Sequence, residues 1–242
     1  MLIYGRAFSF FLSLLIPFFL TRILVKEDYG SYQQLIMIYT IVQAILIFGM
    51  PQSLLYYFPR KETHEHPLLI KQTWTILLFS SLMVMAIFWL SSQIIGTHHL
   101  KEYLVLLGIY TSLMIFVMPI QNLLTLEGKI STAMWLMIFF TIIDLAVLPT
   151  AAWLNPTTLG IIHGIIVAAV LKAIMVLFHV YSTYFTKEIS GNSYIKEQLA
   201  YGIPVGLTAM VYVINVNVDK YLVGLFFSSS VFAVYYLGSL WA

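Results

Sequence analysis

Residues Thr21–Tyr32 read TRILVKEDYGSY. Arg22, Lys26, Glu27 and Asp28 fall within this short stretch, and Tyr29, Gly30 and Tyr32 follow them. Ala7–Leu20 on one side carries no charge, and neither does Leu35–Phe48 on the other. A polar segment between two long apolar runs predicts two membrane helices and the tight turn that joins them. Far downstream, Leu225–Tyr236 (LFFSSSVFAVYY) repeats the pattern more weakly. There an apolar run stops, a small polar turn follows, and a new apolar run opens with Tyr235. The chain therefore reads as one structural unit followed by the beginning of its repeat.

Composition agrees with a membrane setting. Of 242 residues, 61% are hydrophobic and 9% charged, against roughly 25% charged in soluble domains. The mean hydropathy is +0.93, and the apolar residues are spread over the whole chain. This predicts an all-α, polytopic helical membrane protein. A β-barrel would show shorter, alternating segments. The net charge of +2 is scattered over loops, with no basic block of the kind that binds nucleic acid. Without cysteine, disulfides, Cys-ligated zinc and iron–sulfur clusters are excluded.

Seven runs are long enough to span a bilayer: about Ala7–Leu24, Tyr32–Phe58 (interrupted at Gly49-Met50-Pro51), Thr73–Ile95, Tyr103–Leu126, Ala133–Trp153, Leu159–Phe185 and Leu199–Phe227. An eighth opens near Val231. Its stretch to Ala242 rises only about 18 Å, short of the roughly 30 Å core, so the sequence is expected to be a fragment ending inside a helix. The expected division is 1–198, six helices of an N-terminal lobe, and 199–242, the seventh span with an incomplete eighth. With a cytoplasmic N-terminus, the inner side holds Arg6, Arg60, Lys61, Lys71, Lys129, Lys187 and Lys196, and the outer side Arg22, Lys26, Lys101 and Lys220. Basic residues favour the inner side, which places the N-terminus in the cytoplasm. Tyr56, Tyr57, Trp74, Tyr103, Trp135, Trp153 and Tyr201 form the aromatic belt of the interfaces.

A charge at mid-bilayer costs about 2.5–3.5 kcal/mol on insertion scales, so it faces a cavity or a partner. Asp144 is the clearest case, about 13 Å from Trp153 by helical rise. His163 and Lys172 on the next span bracket it in depth. The group reads either as a proton or cation site, or as a buried pair that fixes packing. In the seventh span, Gly202 and Gly206 flank Pro204, and Asn215, Asn217, Asp219 and Lys220 cluster two turns further on. That is either a bent helix with a polar cavity face or a close-packing surface followed by an ordinary helix end. Gly160 and Gly164 make a packing pair. His64 and His66 sit with Glu62 and Glu65 in a solvated loop, and His98-His99 in another. Neither pair supplies a metal-ligand set, and no nucleophile, P-loop or paired-carboxylate motif occurs. No enzyme activity and no cofactor are expected.

Pro17, Arg22, Leu24, Glu27-Asp28-Tyr29-Gly30 and Tyr32 resemble the first hairpin of polysaccharide flippases, the O-antigen and teichoic-acid exporter group of the multidrug/oligosaccharidyl-lipid/polysaccharide transporter superfamily. Phe48-Gly49-Met50-Pro51 resembles their second span. Gly202-Ile203-Pro204 and Val218–Gly224 (VDKYLVG) resemble the ends of their seventh. The resemblance runs through the chain in span order. It departs at the downstream echo, where Ala233-x-Tyr235 stands for Gly30-x-Tyr32 and serines replace the acidic residues.

The resemblance implies two six-helix lobes around a central cavity, working by alternating access in the cytoplasmic membrane. The cargo implied is an oligosaccharide on a polyprenyl pyrophosphate, delivered by the polysaccharide assembly machinery. Arg6, Arg22 and Lys172, with Lys71 behind them, are the candidates for its diphosphate, and Asn215 and Asn217 join them as cavity residues. For Arg22 the competing reading is a basic residue snorkelling at a helix end. Asp144, His163 and Asp219 are the candidates for coupling a proton or sodium ion. A drug–cation antiporter of the same superfamily shares the architecture but would favour acidic cavity residues. A glycan polymerase or acyltransferase would need a sizeable polar loop, and a non-transporting membrane fragment is the remaining reading.

Overall fold

The computed structural model describes residues 2–94, 98–185 and 193–240. Among the described residues every regular element is helical. In chain order these are α1 (Leu2–Ile23), α2 (Lys26–Leu46), α3 (Met50–Tyr57), α4 (His66–Ile94), α5 (His98–Val117) and α6 (Ile120–Leu126). Then follow α7 (Ile130–Leu154), α8 (Thr158–Val180), α9 (Ile195–Val216), α10 (Val218–Phe226) and α11 (Ser229–Ser239). A 3-10 turn, Phe58–Arg60, extends α3, and a π turn, Tyr181–Phe185, extends α8. Among the described residues six helical segments are long and apolar enough to cross a membrane, or seven if the bent pair α2–α3 is counted as one span. The protein is a polytopic helical membrane protein. Large apolar side chains stand outward on many helices, among them Phe11, Phe79, Trp153 and Phe178. An exposed apolar surface of this extent fits lipid, not water.

The first hairpin is tighter than its sequence implies. Only Leu24 and Val25 lie between α1 and α2, so most of the polar stretch Thr21–Tyr32 is helical, not turn. Glu27 and Asp28 stand in the first turn of α2, where negative charge meets the positive end of the helix dipole. The downstream echo has the same build. α10 ends at Phe226, and α11 begins at Ser229 after another two-residue link. The residues preceding the two helices share one backbone conformation: φ −70°, ψ 156° at Val25 and φ −65°, ψ 156° at Ser228. The hairpin and its echo also pack against each other. A Cβ on Gly30 would lie 1.8 Å from the Ser229 carbonyl oxygen. Gln34 Nε2 donates to the Gly224 carbonyl at 2.9 Å, and Ser229 Oγ to Gln34 Oε1 at 3.0 Å.

Three spans are broken. α2 and α3 meet at a 42° bend, formed by Phe48 (φ 51°) and Gly49 (φ 60°), both left-handed. Ser80 on α4 donates to the Leu46 carbonyl beside this break. The fourth expected span divides at Met118-Pro119 into α5 and α6, and the seventh at Asn217 into α9 and α10. α9 runs unbroken through Pro204, and the interruption falls at the end of the same helix, at Asn217. Gly202 and Gly206 instead meet the α2–α3 elbow backbone to backbone: a Cβ on Gly49 would lie 2.1 Å from the Gly202 carbonyl oxygen. Of the two readings of this glycine pair, the structure carries close packing.

At the opposite end from the first hairpin, α4 and α9 are fastened by buried amides. Gln198 accepts from the Thr73 hydroxyl at 3.0 Å, and Gln72 accepts from the Tyr194 backbone N–H at 2.8 Å. Nearby, the Tyr194 hydroxyl donates to the Glu65 carboxylate. The expected seventh span begins earlier than Leu199, since α9 opens at Ile195. Lys187 lies outside the described residues. His98 and His99, expected in a loop, open α5 instead.

Candidate polar pathway along α2

One face of α2 carries Tyr29, Tyr32, Gln33, Ile36, Thr40, Gln43, Ala44 and Ile47. The spacing of three and four residues keeps them on a single stripe. From Tyr29 to Ile47 the stripe extends about 27 Å by helical rise, close to the thickness of a bilayer core. It lines three cavities in succession. Tyr29, Tyr32, Gln33 and Ile36 face a cavity of about 300 Å³. Gln33, Ile36, Met37 and Thr40 face one of about 100 Å³. Thr40, Gln43, Ala44 and Ile47 face one of about 510 Å³. Shared walls join each cavity to the next.

The first cavity is tyrosine-rich and acidic. Tyr29, Tyr32, Tyr110, Tyr236 and Asp144 contribute to its wall. Lys172 Nζ lies 2.6 Å from both Asp144 oxygens. The carboxylate faces the cavity, its side chain 31% exposed, and the lysine sits behind it at 7%. Ala168, Ala169 and Ala173 on α8 are buried alongside, small enough to bring the lysine stem against α7. Such a pair survives at membrane depth because each charge is the other's solvation. His163 does not join it. His163 and Lys172 are nine residues apart, which is half a turn out of phase on a helix, and His163 is exposed on the far side of α8.

The middle cavity carries Lys220, whose Nζ lies 3.2 Å from Asn217 Oδ1. Asn217 belongs to this wall and to that of the third cavity. Its Nδ2 returns to the Val213 carbonyl at 3.0 Å. Lys220, part of the polar cluster that the sequence reads either as a cavity face or as an ordinary helix end, thus lines a cavity.

The third cavity is lined by uncharged groups among the described residues, including Gln43, Gln52, Gln121, Asn122 and Tyr212. All three helix breaks converge on it: Ile47 and Gly49 from the first, Met118 from the second, Asn217 from the third. Interrupted helices at membrane depth are tolerated where they line a cavity, and they mark binding sites in transporters. The sequence showed these breaks only as a glycine–proline run, a proline and an asparagine pair on separate spans. Their convergence is a tertiary fact.

The remaining candidates lie elsewhere. Arg6 is exposed on α1. Arg22 lies over the Phe18 ring at 4.1 Å and is exposed, the posture of a residue reaching for the interface. Asn215 is exposed on the side of α9 away from Asn217. Asp219 is exposed and accepts from the Tyr235 hydroxyl at 2.6 Å, tying α10 to α11. Lys71 is buried near the Phe185 ring. His66 stacks on Phe58 at 3.8 Å, and His64 pairs with Glu62 at 3.3 Å.

The protein is thus a helical membrane protein whose broken spans line polar cavities. Comparison gives the family: the chain matches the polysaccharide biosynthesis protein family over residues 19–242 and belongs to it. No curated protein and no solved structure matches.

Proposed function

We propose that the protein carries a lipid-linked oligosaccharide across the cytoplasmic membrane by alternating access, as a step in building a surface polysaccharide. The observation that supports this most directly is the polar stripe on α2. It is as long as the bilayer core is thick, and a charged, a mixed and an uncharged cavity follow one another along it. A saccharide needs such a route because its hydroxyls lose their water at membrane depth and must find protein partners. The polyprenyl chain needs none and stays in lipid. The proposed role is transport: the described pathway residues are tyrosines, amides, Lys220 and one ion pair.

In this reading Asp144 and Lys172 form the switchable element. Occupation of Asp144 by a proton or sodium ion cancels the attraction that holds Lys172, freeing an ammonium for the diphosphate of the cargo. Lys220 is the second cation on the route. The pairing of Asp144 with an internal lysine also weighs against a cationic drug as cargo, because the carboxylate already has its counter-ion.

The test uses the full chain in vesicles with a fluorescent polyprenyl-pyrophosphate oligosaccharide in one leaflet. The expected result is protein-dependent loss of accessibility from that leaflet, reduced at least tenfold in Asp144→Asn and no longer responsive to pH or sodium. Undiminished, ion-dependent transport by Asp144→Asn would exclude the coupling role. Absence of any movement would exclude the transport reading.

A further inference from the structure

We infer that the 510 Å³ cavity between α2, α3, α6 and α9 is a binding site for the uncharged, hydroxyl-rich units of a saccharide. The inference deepens the transport reading and rests on it for the source of the ligand. Its volume lies within the usual range for small-molecule sites, about 300–1,000 Å³.

The donor set selects the ligand. Gln43, Gln52, Gln121 and Asn122 line one space, with Asn217, whose carboxamide is bonded to the Val213 carbonyl and Lys220, on its wall. Each carboxamide offers two N–H donors and a carbonyl acceptor, the complement of a hydroxyl, which donates one bond and accepts others. Gln52 Oε1 is buried and has no hydrogen-bond partner, and a buried acceptor in that condition is costly until a donor arrives. Gln43 Nε2 donates to the Met118 sulfur at 3.3 Å, a weak acceptor that a hydroxyl oxygen would displace to advantage. Tyr212 stands exposed at the rim of the cavity, where its ring can lie against a sugar face while its hydroxyl stays wet.

Among the described residues no charged side chain lines this cavity, and Lys220 behind its wall is bonded to Asn217 Oδ1. A diphosphate or a uronic acid would therefore be desolvated here without a cation in the lining itself, and an organic cation would find no carboxylate there. The charged groups of the route belong to the other two cavities: the Asp144–Lys172 pair at the first and Lys220 at the middle one. The site is thus specific for neutral sugar units.

The test is saturation-transfer NMR on the full chain in lipid nanodiscs, with maltotriose and chitotriose as neutral probes and trigalacturonic acid as the acidic one. The expected result is transfer to both neutral trisaccharides and at least tenfold weaker binding of the acidic one. In Gln52→Leu/Gln121→Leu the neutral signal should fall at least tenfold. Gln121→Glu, nearly isosteric, guards against a folding defect: it should keep maltotriose and reject the acidic probe further. No neutral binding, equal binding of all three probes, or wild-type behaviour of both variants would overturn the inference. Vesicle transport separates this from the broader reading. Neutral binding without translocation removes the transport function and leaves the site, while translocation unaffected in the double variant removes the site and leaves transport.

Discussion

The Asp28 carboxylate accepts two hydrogen bonds from Thr158, one from its backbone N–H at 2.9 Å and one from its hydroxyl at 2.6 Å. Thr158 is the first residue of α8. An acid on α2 therefore caps a helix more than a hundred positions away, where the dipole favours negative charge. The contact clamps the pathway helix to the helix that carries Lys172.

Asp28→Ala should lower stability by roughly 1.5–3 kcal/mol, the usual worth of hydrogen bonds to a charged group. Asp28→Asn keeps an acceptor and should lose about half as much. Thermal unfolding in detergent measures both. Equal stability of Asp28→Ala and wild type would remove the clamp.

Asp144 and Lys172 should behave as a unit. Breaking a buried pair by removing one partner costs about 3–5 kcal/mol, because the other charge is left without a counter-ion. Lys172→Met should therefore destabilise strongly. Asp144→Asn/Lys172→Met should recover part of that loss, giving a coupling energy of about 1–3 kcal/mol in a double-mutant cycle. Simple additivity of the two single changes would show that the charges do not depend on each other.

Gly49→Ala meets two obstacles at once. A left-handed conformation costs a residue with a side chain roughly 1–3 kcal/mol, and the new methyl would lie 2.1 Å from the Gly202 carbonyl oxygen. Gly128 also has a positive φ, but nothing lies within 4 Å of a Cβ there. Gly128→Ala should thus show the backbone cost alone. Detergent melting curves of the two variants compare the terms, with Gly49→Ala expected to be the lower by several degrees.

The Tyr194–Glu65 bond gives the α4–α9 end a pH signature. Donation from the Tyr194 hydroxyl holds the Glu65 carboxyl below its ordinary value of 4.5, and the same bond holds the Tyr194 hydroxyl above 10.0. For a depressed carboxyl, the contribution is present above the ordinary value and fades as pH falls through the folded one. For a raised phenol it is present below 10 and fades as pH climbs beyond. Melting temperature should therefore be flat between these limits and decline on both sides. Glu65→Gln should flatten the acid limb, and an unchanged acid limb would assign it to other carboxyls.

Much of the architecture is legible in the residues. Uncharged runs of span length predict the helices, and the charges of Thr21–Tyr32 predict the hairpin. The echo at Leu225–Tyr236 is matched by a second two-residue link of the same conformation. What the residues hide is direction. Asp144 and Lys172 are singled out by cost alone, but His163 looks equally available until the half-turn offset between it and Lys172 is counted. The role of Asp28 is invisible because its partner is a threonine on a distant helix. The amide cavity is hidden for another reason: Gln43, Gln52, Gln121 and Asn122 are unremarkable one by one, and only the three helix breaks bring them together.

The contact among Gly49, Gly202 and Gly206 has a mechanical side. With no side chains between them, the α2–α3 elbow and α9 sit backbone on backbone, like two gear teeth in full mesh. Sliding there would open a void or force a collision, so the two elements travel together. Any rearrangement that opens the amide cavity must therefore bend elsewhere. The yielding joints left on its wall are Met118-Pro119 and Asn217, and under the proposed alternating access these are the places where strain would collect.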